Sequence, residues 1–223
     1  METIKLTSPE DGFEFTALHA EPEGARKGGV IVLQEIFGLD EYVQADVQRW
    51  ADAGYEAVAP SLFDRRERGF TAGHDDPGFA AGREHAMHTP LDQALADIAA
   101  CRDFLAAQGP VFVVGYCYGG SLTWIACGRL GGLAAGSSYY GSLVKANAAL
   151  TPKCPVIVHL GRKDAHIPAD EVKAAVEAAQ PGVPVYIYET GDHGFNNEGS
   201  PRYDQASAEL ARRRTRELFE ANA

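Results

Sequence analysis

Four residues of types that carry out acyl transfer each follow a short apolar run. Glu35 comes after Val30 to Leu33, Cys117 after Val111 to Val114, Asp164 after Pro155 to Leu160, and His193 after Val185 to Tyr188. A cysteine thiolate attacks an acyl carbon, a histidine carries its proton, and a carboxylate orients and stabilises the charged imidazole. The local spacing around the cysteine is Gly115-Tyr116-Cys117-Tyr118-Gly119-Gly120. Glycines two before and two after leave room for a strand to enter a helix through a tight turn, with the central residue in a strained backbone conformation. Taken alone, this motif fits a buried structural cysteine after a core strand just as well. Asp164 alone reads as a turn or helix cap, and Asp192-His193-Gly194 alone as a loop with a satisfied histidine. Together, in the order nucleophile, acid, histidine and each at a strand end, they point to a catalytic triad. A further carboxylate, Glu35, sits at another strand end as a fourth candidate, an exposed loop carboxylate being the bland alternative for it.

The elements that must position these residues follow from pattern. Ile4 to Leu6 and Phe13 to Leu18, separated by Pro9-Glu10-Asp11-Gly12, predict an N-terminal hairpin. Continuous apolar strands are predicted at Val30 to Leu33, Glu56 to Ala59, Val111 to Val114, Ala134 to Tyr140, Pro155 to Leu160 and Val185 to Tyr188. Asp40 caps a helix that carries Val43, Val47 and Trp50 and closes at Gly54; Thr89-Pro90 opens another, with Asp92 three residues after the cap. Leu122 to Ala126 continues the elbow as a helix, Pro168 and Asp170 open one towards Gln180, and a last helix runs from about Tyr203 to Phe219. Asp64 to His88 lacks sustained periodicity and reads as an irregular binding loop or lid. Apolar strands alternating with helices imply an α/β fold: a mostly parallel, doubly wound sheet with helices on both faces, as one domain over residues 1–223. In such a sheet, ligands bind along the rim where strands end, and that rim is where the four residues gather.

Composition narrows the function. A formal net charge of -11 leaves no basic footprint for nucleic acid. The basic run Arg212-Arg213-Arg214 with Arg216 reads as a solvated helix face. No apolar run approaches the ~18 residues of a membrane span, and Met1 to Gly12 has no signal-peptide pattern, so a cytoplasmic protein is expected. The four cysteines have neither zinc-site spacing nor disulfide-scaffold density, so Cys101, Cys127 and Cys154 read as packing residues. The residue two after His193 is Phe195, not the glutamate that a class I glutamine amidotransferase would place there.

Gln34-Glu35-Ile36-Phe37-Gly38, the cysteine elbow, Gly161-Arg162-Lys163-Asp164 and Asp192-His193-Gly194-Phe195 together resemble the dienelactone hydrolase (carboxymethylenebutenolidase) family, over nearly the whole chain. The resemblance implies an eight-stranded α/β-hydrolase fold, commonly monomeric, with dimers also open, a Cys117-Asp164-His193 triad, no metal and no cofactor. It also implies that Glu35 helps deprotonate the cysteine when substrate arrives. Attack on a lactone or ester carbonyl makes an oxyanion, which the backbone N–H groups of Tyr118 and Ile36 would receive, each such contact lowering the barrier by roughly 3 kcal/mol. The family's usual pair of substrate-carboxylate arginines is incomplete. Asn197 stands four residues after His193, Arg83 is the counterpart in the long loop, and Arg202 is a candidate substitute. Phe37, Tyr118, Tyr140 and Phe195 are candidates for apolar pocket walls, and equally for core. The expected function is hydrolysis of a lactone or small ester without a nucleic-acid or membrane partner. A non-catalytic small-molecule receptor of the same fold, and a thioesterase using the same triad, are the alternatives.

Overall fold

Runs of apolar and β-branched residues without polar alternation become strands buried on both faces, and they set the middle of the molecule. The computed structural model describes residues 1–223. Strands β3 (Gly29–Leu33), β4 (Glu56–Pro60), β5 (Val111–Tyr116), β6 (Ala135–Tyr139) and β7 (Val156–Gly161) are buried at every residue, and β8 (Val185–Tyr188) closes one edge. These six pair in parallel. The predicted hairpin, β1 (Glu2–Thr7) and β2 (Glu14–Ala20), adds to the other edge, with β2 antiparallel to β4. The sheet order is β1-β2-β4-β3-β5-β6-β7-β8.

Helices α1 (Glu41–Asp52), α2 (Asp76–His88), α3 (Leu91–Ala106), α4 (Tyr118–Arg129), α5 (Ala169–Ala179) and α6 (Gln205–Glu220) cover the sheet. Strand alternation shows how the two faces are filled. Phe112 stacks on Phe219 of α6 at 4.6 Å, beside Trp50 of α1. The next residue, Val113, points the other way, towards Gly136 and Cys127 of α4. Asp40 caps α1 as expected, its side chain accepting from the Val43 N–H at 3.0 Å. No helix is long and apolar enough to cross a membrane.

Three sequence expectations are corrected. Half of the segment read as irregular, Asp64 to His88, is the helix α2, capped by Asp75 and with Pro77 in its first turn. Its buried face is Gly78, Gly82 and His85, so the helical period is carried by residues that a hydrophobicity pattern does not score. Thr89 does not cap α3; its hydroxyl donates back to the His85 carbonyl at 2.8 Å and finishes α2, leaving Pro90 ahead of α3 without a side-chain cap. The arginine run is also only partly solvated. Arg212 donates to the Asn196 carbonyl at 2.7 Å and to Glu198, and Arg214 lies 3.9 Å over the Tyr186 ring.

Candidate active site

The turn from β5 into α4 is built by close backbone approach. A Cβ on Gly115 would lie 2.2 Å from the Gly119 carbonyl oxygen, one on Gly119 2.3 Å from that of Leu33, and one on Gly120 2.1 Å from that of Tyr139. Any side chain at these positions collides with backbone, which cannot give way. The compression places Cys117 at φ 53, ψ -108, a conformation that L-residues avoid. Neighbouring strands lock it there: the Cys117 N–H donates to Tyr139 at 3.0 Å and the Gly119 N–H to Gln34 at 2.9 Å. The thiol therefore stands half-buried at the N-terminus of α4, where unpaired N–H groups favour an anion.

Loops after β7 and β8 bring the other two residues. Cys117 Sγ lies 3.1 Å from His193 Nε2, and His193 Nδ1 lies 2.7 Å from Asp164 Oδ2. The second Asp164 oxygen accepts from the His166 and Ile167 N–H groups at 2.8 and 3.0 Å, so the carboxylate cannot swing away. Burial opposes charge on His193, but hydrogen bonds to Asp164 and Cys117, with their negative charges, push its pKa up to about 11. Burial likewise opposes ionisation of Asp164, and the His193 hydrogen bond and charge outweigh it, holding this carboxyl below its ordinary value. The His193 imidazole is therefore held towards its protonated form.

Glu35, after β3, is buried. Desolvation raises its pKa, and the hydrogen bond from Asn197 Nδ2 at 2.9 Å offsets this only in part. It makes no hydrogen bond to Cys117, whose side-chain partner is His193. Asn197 is thus itself buried and committed to Glu35. The Ile36 N–H donates to no protein acceptor, and Tyr118, as the first residue of α4, has none within the helix. Gly119 packs directly against the backbone of Leu33 and Gln34, which brings the end of β3 against the start of α4. Helix α2 rests on the same point, because a Cβ on Gly82 would lie 2.1 Å from the Ile36 carbonyl oxygen.

The remaining candidates divide. Phe37 stacks on His74 at 3.9 Å, and Tyr118 packs 5.6 Å from Phe63. Phe195 is fully buried among Tyr139, Tyr140 and Tyr188 and belongs to the core. Tyr140 is equally buried, its ring 5.2 Å from that of His193. Arg83 is exposed on α2, and Arg202 is exposed 3.6 Å from Asp192. A cleft of about 470 Å³ lined by Asp40, Glu41, His74, Asn197 and Glu198 adjoins this region through Asn197, but no triad residue lines it. Sequence reasoning missed the brace behind the histidine loop, where Arg212 holds both the carbonyl and the side-chain oxygen of Asn196. An arginine in a basic helical run gives no signal of that contact. The one cluster with metal-ligand types, His19, Glu21 and Glu56, lies among the strands of the hairpin side, and Arg26 already pairs with Glu56 at 2.7 Å.

Comparison with known proteins agrees with this layout. The model of the dienelactone hydrolase family matches residues 15–223. A carboxymethylenebutenolidase of Pseudomonas putida is 30% identical over 216 residues, covering 92% of this chain and 90% of its own. A crystal structure from Klebsiella pneumoniae with a provisional dienelactone hydrolase assignment superposes with a TM-score of 0.85 at 29% identity, covering 98% of each chain. A dienelactone hydrolase-like promiscuous phosphotriesterase from metagenomic libraries, at 19% identity and a TM-score of 0.74, shares the fold and covers 99% of this chain and 98% of its own.

Proposed function

The chain belongs to the dienelactone hydrolase family, with the α/β-hydrolase fold, and on that premise we propose that it hydrolyses a small lactone or carboxylic ester through a thioester on Cys117. The observation that carries the reading is the continuous line Cys117 Sγ, His193, Asp164, at 3.1 and 2.7 Å. In this reading the thiolate attacks the acyl carbon, and the carbonyl oxygen takes up charge against the Tyr118 and Ile36 N–H groups. Collapse expels the alkoxide, which receives the His193 proton. Acylation removes the charge on sulfur, one of the influences that hold the imidazole protonated. His193 is then neutral and takes a proton from the water that cleaves the thioester, returning the acid and the thiol. Glu35 has the supporting part of aiding thiol ionisation when substrate enters, which requires its carboxyl to leave Asn197.

Rates on a matched panel of lactone, aryl ester, thioester and amide test the substrate class. Lactone and activated ester are expected to turn over fastest and amide slowest, because from an amide the tetrahedral intermediate expels thiolate in preference to amine. Equal or faster amide cleavage, or a lactone that binds tightly and is recovered intact, would count against the reading.

A further inference from the structure

Tyr140 is held in a way that packing alone does not require. It follows β6 at φ 37, a left-handed backbone conformation that costs a non-glycine residue on the order of 1–3 kcal/mol. Its surroundings allow no relaxation. The Tyr140 N–H donates to His159 at 2.8 Å, the preceding carbonyl accepts from Cys117, and a Cβ on the following Gly141 would lie 2.6 Å from the Ser121 nitrogen. The result is a ring set 5.2 Å from the imidazole of His193 and closed behind by Phe195 at 5.4 Å.

Its hydroxyl has no hydrogen-bond partner in the protein, although the residue is fully buried. Leaving such a group unpaired costs about 1–3 kcal/mol. The other buried side-chain polar atoms in that condition belong to Ser8, Tyr55, His85 and Thr123, and none of those side chains packs on the histidine ring. Burial, and then the neighbouring Glu35 carboxyl, hold the phenol well above its ordinary pKa, so it remains an O–H donor. That carboxyl, Glu35, has only the neutral Asn197 amide for a hydrogen-bond partner, at 2.9 Å. The one cationic group nearby, the His193 imidazole, is already paired with the Asp164 carboxylate at 2.7 Å, so a substrate carboxylate placed here would have no countercharge of its own.

We propose that the Tyr140 hydroxyl is a specificity determinant, donating to an uncharged oxygen of the substrate (a hydroxyl, ether or carbonyl oxygen) other than the scissile carbonyl. This rests on the lactone or ester reading and narrows it to substrates that carry such an oxygen near the reacting carbon. An acceptor brought by the substrate completes the donor, which is how a polar site rejects an analogue lacking the group.

Three aryl esters of one phenol test the idea: methoxyacetyl, butyryl and hemisuccinyl, compared by kcat/KM for wild type and Tyr140→Phe. The methoxyacetyl to butyryl ratio is expected to fall roughly tenfold in Tyr140→Phe, the change of ratio cancelling intrinsic reactivity. The melting temperature is expected to hold or rise, since an unpaired hydroxyl has been removed. An unchanged ratio, or a wild-type preference for the hemisuccinyl ester over both others, would overturn the proposal. Failure of the parent reading shows separately, as hydrolysis of all three esters by Cys117→Ala at the wild-type rate.

Discussion

Cys117→Ala is expected to lower kcat for lactone or aryl-ester hydrolysis on the order of 10⁴-fold or more, with the fold intact. Removing the nucleophile of such a unit removes nearly all that the unit contributes, leaving only what the N–H pair and substrate binding supply. The fold survives because the backbone at this position is held from outside, by Tyr139 and Gln34, and not by the thiol. Alanine keeps the same strained φ of 53, so the melting temperature should stay within a few degrees of wild type. Cys117→Gly separates strain from chemistry. It is expected to be as inactive as Cys117→Ala yet more stable, by about 1 kcal/mol, because glycine enters that backbone region without the Cβ conflict. Denaturant midpoints beside steady-state rates check both statements. Activity retained in a clean Cys117→Ala preparation would move the nucleophile elsewhere.

Asp164→Asn is expected to reduce kcat/KM by about 10³- to 10⁴-fold, as the amide no longer supports an imidazolium or fixes its tautomer. The same substitution carries a pH signature in stability. His193 has a folded pKa raised from 6.5 to about 11. A raised value means that its contribution to stability is fully present below about 6.5, declines as pH rises and is gone above about 11. Asp164 has a folded pKa lowered from 3.8, so its contribution is present above 3.8 and is lost as pH falls through the folded value. The stability difference between wild type and Asp164→Asn should therefore be largest between about pH 4 and 6.5 and shrink on both sides. Chemical denaturation from pH 3 to 10 checks this. A difference that does not vary with pH would show that Asp164 serves only as a turn acceptor for His166 and Ile167.

The extent to which these residues could be read from the chain follows from the range of the interactions that hold them. Cys117, Asp164 and His193 were legible because each follows an unbroken apolar strand, and strand ends of a parallel sheet converge by topology. The cysteine elbow was legible because its Gly-x-Cys-x-Gly spacing is a compact local motif, Gly115 closing on Gly119, although Gly119 and Gly120 are also demanded by the backbone of Leu33 and Tyr139. Helix α2 was not, since its buried face of Gly78, Gly82 and His85 is made by close approach to Ile36 and by ring contacts with Phe63 and Phe70, neither of which hydropathy registers. Asn197 joins Glu35 across 162 positions, and Arg212 reaches Asn196 from a helix that looks solvated. Such pairs exist only once the sheet has assembled. Tyr140 illustrates the same point for the backbone, because nothing in Ser138-Tyr139-Tyr140-Gly141 signals that a tyrosine and not the glycine takes the positive φ.

The central claim is the covalent one, that the acyl group passes through sulfur at the end of β5. Mixing the protein with excess activated aryl ester, quenching in acid within milliseconds and measuring intact and peptide masses tests it most directly. The expected result is an added mass equal to one acyl group, released by neutral hydroxylamine as a thioester and located on the peptide that contains Cys117. An acyl mass on Ser121, Cys101, Cys127 or Cys154, or a protein mass unchanged through a time course in which product forms, would contradict it.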